Sequence, residues 1–86
     1  MFKASEIKRL IEEAIPGSVA VIVDEANDGE HFEGEVMAPG FVGISLVKQH
    51  QAVYGALGPR MGREIHALAL KTYTPEAWAK AGKESR

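Results

Sequence analysis

The sequence contains no cysteine. Disulfide bonds and thiolate metal ligands from this chain are therefore excluded. It also has no apolar run near the roughly 18 residues that span a bilayer. Its first residues pass directly into a charged helical segment, without the pattern of a signal peptide. These absences lead us to expect a cytoplasmic protein with no membrane partner.

Motifs that are typical of enzymes are missing as well. No nucleophile elbow surrounds Ser18, Ser45 or Ser85, and no HExxH spacing is present. The Gly-x-x-Gly loop at residues 40–43 lacks the Lys-Ser/Thr pair with which a P-loop holds phosphate. We therefore expect a chain that is not an enzyme.

The composition is that of one small globular domain, which we expect to comprise residues 1–86 with a core at about 5–80 and a flexible tail at 81–86. The net charge of −2 hides an asymmetry. Residues 1–43 hold three basic against nine acidic side chains, a net −6, whereas residues 44–86 hold seven against three, a net +4. A basic second half suits nucleic acid, but we favour two halves that neutralise each other in the fold.

The first segments predict a helix followed by a β-hairpin. Apolar residues recur at helical spacing over residues 5–15, where Ser5 is a candidate N-cap. Residues 18–24 are rich in β-branched side chains, and residues 31–38 alternate between apolar and polar. Asn27-Asp28-Gly29 between them is turn chemistry, so the two strands should be antiparallel.

The remaining segments predict a helix, a strand and a last helix. Ser45 is a candidate N-cap for a helix whose apolar stripe we assign to Leu46, His50, Val53, Tyr54 and Leu57. Residues 65–70 form the predicted third strand, and Thr74-Pro75 begins a helix that carries Trp78. The order α-β-β-α-β-α predicts an α+β domain, in which a three-stranded mixed sheet has helices on one face.

Two histidines stand at the starts of strands in this scheme. His31 opens the second strand and His66 the third. If these strands are parallel neighbours, both imidazoles lie at the same edge of the sheet. Neighbouring strands are about 4.8 Å apart, so the two imidazoles could share a metal. A histidine is more often a surface or packing residue, and we assign that second-shell or structural role to His50.

Two histidines do not complete a metal site, because zinc takes three or four protein ligands. Asp28, Glu30 or Glu33 could add a carboxylate, although no spacing motif supports it. A [2Fe–2S] cluster can take two histidines on one iron and two thiolates on the other. A chain with two suitable histidines and no cysteine therefore offers half of such a site, and a homodimer that binds a metal adventitiously stays open.

Four segments together resemble the BolA family. They are Gly40-Phe41-Val42-Gly43, Gln49-His50-Gln51-Ala52-Val53-Tyr54, Ile65-His66-Ala67-Leu68 and Thr72-Tyr73-Thr74-Pro75-Glu76-Ala77-Trp78. The segments Asp28-Gly29-Glu30-His31-Phe32 and Ala52-Val53-Tyr54-Gly55 are most similar to its IbaG (YrbA) branch. The resemblance covers about residues 5–80 and implies a class II KH-like fold.

The resemblance also implies a function. Members of this family act as non-enzymatic partners of monothiol glutaredoxins, with which they bridge a [2Fe–2S] cluster in iron–sulfur trafficking or iron regulation. The glutaredoxin and glutathione supply the thiolates, and the BolA-like chain supplies the histidine at the third strand, here His66, and one from the preceding loop, here His31. The chain alone would hold no cofactor, as a monomer or weak homodimer.

The family's other activity is DNA binding and transcriptional regulation. Many members carry Arg-His-Arg in the second helix, where this chain has Gln49-His50-Gln51 and so lacks two positive charges. The KH-like fold keeps this alternative open. The residues that would contact the nucleic acid are Gly40, Phe41, Val42, Gly43, Lys48, Arg60, Arg63 and Lys71.

Overall fold

A computed structural model describes residues 2–83 of the chain. Its helices are α1 (Ala4–Ala14), α2 (Leu46–Leu57) and α3 (Pro75–Lys80), and its strands are β1 (Val19–Val23), β2 (His31–Met37) and β3 (Ala67–Tyr73). Short 3-10 turns occupy Pro39–Phe41 and Gly58–Arg60. Among the described residues, no helix combines the length and apolar character needed to cross a membrane.

The sheet is three-stranded and mixed, in the order β1-β2-β3. β1 pairs antiparallel with β2, and β2 pairs parallel with β3. Asn27 and Gly29 adopt positive φ in the turn before β2, a conformation that Asn and Gly tolerate. The predicted α-β-β-α-β-α order, hairpin and parallel crossover are therefore confirmed.

Alternation along β2 separates a buried face of the sheet from an outer face. Phe32, Gly34 and Val36 are buried, whereas His31 and Glu33 are exposed. The core continues from the buried face into apolar side chains of α1 and α2. Its members are Ile7, Ile11, Ala20, Phe32, Val36, Ala38, Phe41, Val53, Leu57, Ile65 and Leu68.

α3 departs from the expectation of helices on one face, which holds for α1 and α2. Trp78 is buried but lies edge-on to Tyr73, at 5.1 Å between ring centres. The Tyr73 hydroxyl donates to Glu35 on the outer face, and Lys83 pairs with the same carboxylate at 3.0 Å. Lys83 is thus held to the sheet, and residues 84–86 of the predicted flexible tail lie outside the described residues.

Two local predictions were wrong at helix α1 and strand β3. α1 begins at Ala4 with Lys3 at the N-cap and without a side-chain cap, so Ser5 does not cap it. β3 begins two residues later than predicted and runs to Tyr73. Ile65 is buried and instead forms an isolated bridge with Met61 in the connecting loop. Continuing the β2–β3 register would set it opposite Gly29, which lies in the turn before β2.

The apolar stripe of α2 was predicted only in part. Ser45 accepts a hydrogen bond from the Lys48 N–H and caps the helix as expected. Val53 and Leu57 are buried, but Leu46 is 61% exposed and Gln49 is buried in its place. The first turn of α2 therefore presents the Gln49 amide to the interior, where it is hydrogen-bonded to the Phe41 and Ile44 carbonyls and the Thr72 hydroxyl.

Candidate functional site

The turn before β2 places His31 through a set of aspartate hydrogen bonds. The Asp24 carboxylate accepts from the backbone N–H groups of Asp28 and Gly29. Asp28 in turn accepts from the backbone N–H groups of Glu30 and His31. These side-chain-to-backbone bonds fix the turn locally, so His31 enters the strand from a defined position.

Strand pairing places His66 beside His31. The Glu30 carbonyl accepts from the N–H groups of both His66 and Ala67. In the parallel ladder His31 is the register partner of Ala67, so His66 lies one residue before the strand rather than at its first position. The centres of the two imidazole rings are 6.2 Å apart, with the ring planes at 81°.

Both histidine side chains are open to solvent and each has a carboxylate beside one ring nitrogen. Their side chains are 59% and 53% exposed. Nδ1 of His31 lies 2.9 Å from Asp28 Oδ2, and Nδ1 of His66 lies 3.5 Å from Glu30 Oε1. A carboxylate at Nδ1 orients an imidazole so that Nε2 is left for a ligand. The sequence identified these carboxylates only as candidate ligands, and Asp24 was missed altogether.

The electrostatics of the turn couple Asp28 to His31. Bonding to Asp28, with smaller contributions from neighbouring carboxylates, raises the pKa of His31 above its usual value. The pKa of Asp28 is held well below its usual range, first by the Glu30 N–H and then by the His31 ring and N–H. The Asp28 carboxylate is therefore ionised in the folded chain at neutral pH.

Asp28, Glu30 and His31 each bring one ligand atom within 4.8 Å of the others. Among the described residues, neither His66 nor Glu33 belongs to this group. Two imidazoles on one tetrahedral metal, with bonds of about 2.1 Å, have ring centres about 5 Å apart. The observed separation is 6.2 Å, so the two exposed imidazoles would have to move together by about 1 Å to bind one metal.

His50 has a different environment. It lies in α2, half-buried, with its ring edge-on to Tyr54 at 6.5 Å between centres. The Tyr54 hydroxyl donates to the Leu68 carbonyl of β3. His50 therefore packs on a residue that joins α2 to the sheet.

The candidate nucleic-acid residues do not converge on one surface. In the Gly40, Phe41, Val42, Gly43 loop, Phe41 is buried in the core and Val42 is 66% exposed. Lys48 lies in the first turn of α2, whereas Arg60 and Arg63 follow its last residue, Leu57, which is about 13 Å from Lys48 along the helix at 1.5 Å per residue. Lys71 lies on the outer face of the sheet, where it lines a shallow groove with Glu33 and Glu35.

Comparison with known proteins identifies a family. The model of the BolA-like proteins matches residues 9–77. An uncharacterised protein of Rickettsia prowazekii is 32% identical over 69 residues, covering 80% of this chain and 90% of its own length. The acid stress protein IbaG of Escherichia coli is 41% identical over 59 residues, covering 67% and 70%. The DNA-binding transcriptional regulator BolA of Haemophilus influenzae is 40% identical over 48 residues, covering 56% and 47%.

Solved structures have the same architecture. A bolA protein homologue from Coxiella burnetii superposes with a TM-score of 0.79 at 40% identity, covering 92% of this chain and 99% of the other. Yeast Fra2 superposes with a TM-score of 0.70 at 31% identity, covering 91% and 85%.

Proposed function

The chain belongs to the BolA family, and we propose that it is a non-enzymatic partner of a monothiol glutaredoxin, with which it holds a labile [2Fe–2S] cluster. In this proposal His66 and His31 are the ligands from this chain, and the glutaredoxin and glutathione supply the thiolates. The cluster is then cargo in iron–sulfur trafficking or iron regulation.

The observation that carries the proposal is the pair of exposed imidazoles 6.2 Å apart in a chain without cysteine. Each ring has Nδ1 beside a carboxylate, an arrangement that directs Nε2 toward a ligand. Imidazole is a known ligand on one iron of a [2Fe–2S] cluster, where it raises the reduction potential relative to thiolate. The missing thiolates require a second protein, which is what a glutaredoxin partner provides.

The proposal is tested by visible circular dichroism. The chain is added to a monothiol glutaredoxin homodimer that carries its glutathione-ligated cluster. We expect a new spectrum that saturates at one chain per glutaredoxin. His66→Ala and His31→Ala should each alter that spectrum because each removes a ligand, whereas His50→Ala, a matched histidine away from the pair, should leave it unchanged.

Two results would contradict the proposal. If addition of the wild-type chain leaves the spectrum unchanged, no mixed complex forms and the proposal is wrong. If the complexes of His66→Ala and His31→Ala have the same spectrum as the wild-type complex, the partner role would stand but these histidines would be excluded as ligands.

A second candidate function is nucleic-acid binding, because a relative in the same family is named a DNA-binding transcriptional regulator. Lys48 lies at the start of α2, Arg60 and Arg63 lie beyond its end, and Lys71 lies on the outer face of the sheet. This dispersal does not favour nucleic-acid binding. Phosphate binding gains most from cationic side chains concentrated on one surface. We therefore place this function second.

A further inference from the structure

β1 is an edge strand of the sheet, because the strand order is β1-β2-β3. Its sequence, Val-Ala-Val-Ile-Val, contains no charged residue and no proline. Val21 and Val23 are 44% and 43% exposed on its outer face. A free, apolar edge strand of this kind pairs readily with a strand of another chain unless something blocks it.

Two side chains of α1 occupy the free edge of β1. Glu12 Oε2 accepts a hydrogen bond from the Ala20 N–H at 2.8 Å, and Lys8 Nζ donates to the Ala20 carbonyl at 2.9 Å. Lys8 and Glu12 are also paired with each other at 2.7 Å, one helical turn apart. One ion pair thus satisfies both backbone groups of Ala20, the second residue of the edge strand.

The bonds to Ala20 show which backbone groups of β1 point away from β2. In an antiparallel pair, successive residues turn their N–H and C=O groups alternately toward and away from the partner strand. Since the groups of Ala20 point away from β2, those of Ile22 point the same way. An incoming strand would have to bond the backbone groups of both Ala20 and Ile22, and those of Ala20 are already bonded to Lys8 and Glu12.

We propose that the Lys8–Glu12 pair guards the β1 edge against pairing with β1 of a second copy of this chain. A two-fold antiparallel pairing would set the uncharged Val-Ala-Val-Ile-Val segment against itself, as an isologous contact requires. β1 offers no charge that would select a different partner. The guard keeps the edge closed, so that the chain stays available as a monomer.

The test is sedimentation velocity over a concentration series of Lys8→Ala/Glu12→Ala. This variant keeps the net charge and removes both bonds to Ala20. We expect its dimer dissociation constant to fall at least about tenfold below that of the wild type, since the freed backbone groups gain strand partners. The control is Arg9→Ala/Glu13→Ala, which removes the Arg9–Glu13 pair of 3.0 Å and the Arg9–Glu6 pair on the same helix. In the described part of the chain, none of these three side chains is bonded to β1.

A third variant identifies the surface that associates. Val21→Lys, added to Lys8→Ala/Glu12→Ala, should restore the monomer because two lysines would face each other across the new strand pair. The inference is overturned if the folded double variant sediments as the wild type does, if the control associates equally, or if Val21→Lys leaves association unchanged. Should the double variant fail to fold by far-UV circular dichroism, Lys8→Ala alone, which keeps the Glu12 bond, must show the same association to a smaller degree.

Discussion

At the scale of single residues, one carboxylate sets both the orientation and the pKa of His31. Asp28 binds the ring of His31 and also the backbone at the start of β2. The same contact that orients the ring raises the pKa of His31. Because a protonated imidazole cannot bind a metal, Asp28 both presents His31 and makes its ligation sensitive to acid.

Asp28→Asn should lower the pKa of His31 toward its ordinary value of about 6.5. The amide oxygen can still accept from the Glu30 and His31 N–H groups, so the turn should persist. NMR titration of the His31 ring protons measures the change. Glu33→Gln, an exposed carboxylate two residues along β2, is the control and should leave the titration in place. An unshifted His31 in Asp28→Asn would contradict the assigned cause.

The sign of the pH dependence follows from the raised pKa of His31. The interaction with Asp28 stabilises the fold fully below the ordinary pKa of about 6.5, and this contribution is lost as pH rises through the raised value. Metal ligation has the opposite dependence, since it requires the neutral ring. Acid therefore favours the Asp28–His31 pair and opposes binding of the proposed cluster.

At the scale of elements, buried Gln49 ties three segments together. Its Nε2 donates to the Phe41 carbonyl at 3.3 Å and to the Ile44 carbonyl at 2.9 Å. Its Oε1 accepts from the Thr72 hydroxyl of β3 at 2.6 Å. Only 8% of Gln49 is exposed, so water competes little for these bonds, which hold the Gly-x-x-Gly loop against α2 and β3.

Gln49→Leu should lower the free energy of unfolding by about 1–3 kcal/mol, because it leaves the loop carbonyls and the Thr72 hydroxyl without their partner. Urea unfolding followed by far-UV circular dichroism measures this. Gln51→Leu, at an exposed position of the same helix, is the matched control and should stay within about 0.5 kcal/mol of the wild type. A Gln49→Leu variant as stable as that control would show that the network contributes nothing.

At the scale of the whole molecule, the charge asymmetry is only partly neutralised across the two halves. Among residues 2–83, most ion pairs lie within one half, as in Lys8–Glu12, Arg9–Glu13 and Lys80–Glu76. Lys83–Glu35 joins the halves. The acidic turn lies at the histidine end of the sheet, and the basic side chains of the second half are spread over α2, the following loop and β3.

This distribution predicts weak nucleic-acid binding with a shallow salt dependence. If about two phosphates are contacted at once, the slope of log K against log salt should be about −2, compared with slopes several-fold steeper for proteins with extensive phosphate contacts. Fluorescence anisotropy with duplex DNA measures it, and Lys48→Ala/Arg63→Ala should weaken binding. His66→Ala should leave it unchanged. No binding at low salt would exclude the nucleic-acid function.

The sequence by itself determined the features that depend on residues close together along the chain. The alternation of β2, the Asn27-Asp28-Gly29 turn, the Ser45 cap and the Thr74-Pro75 start of α3 all depend on residues a few positions apart. Strand order and the parallel crossover then follow from topology. The meeting of His31 and His66 at one sheet edge was predictable for that reason, while their role as ligands stays a prediction.

The tertiary structure decided what depends on distant partners. Gln49 rather than Leu46 is buried because Thr72 and the loop carbonyls lie where its amide reaches them. β3 begins at Ala67 because its partner strand β2 begins at His31, and the residues before His31 form a turn. The Lys8–Glu12 guard over Ala20 has no sequence signal beyond an ordinary helical ion pair. Each of these depends on which groups folding brings within hydrogen-bond distance, and spacing along the chain does not encode that.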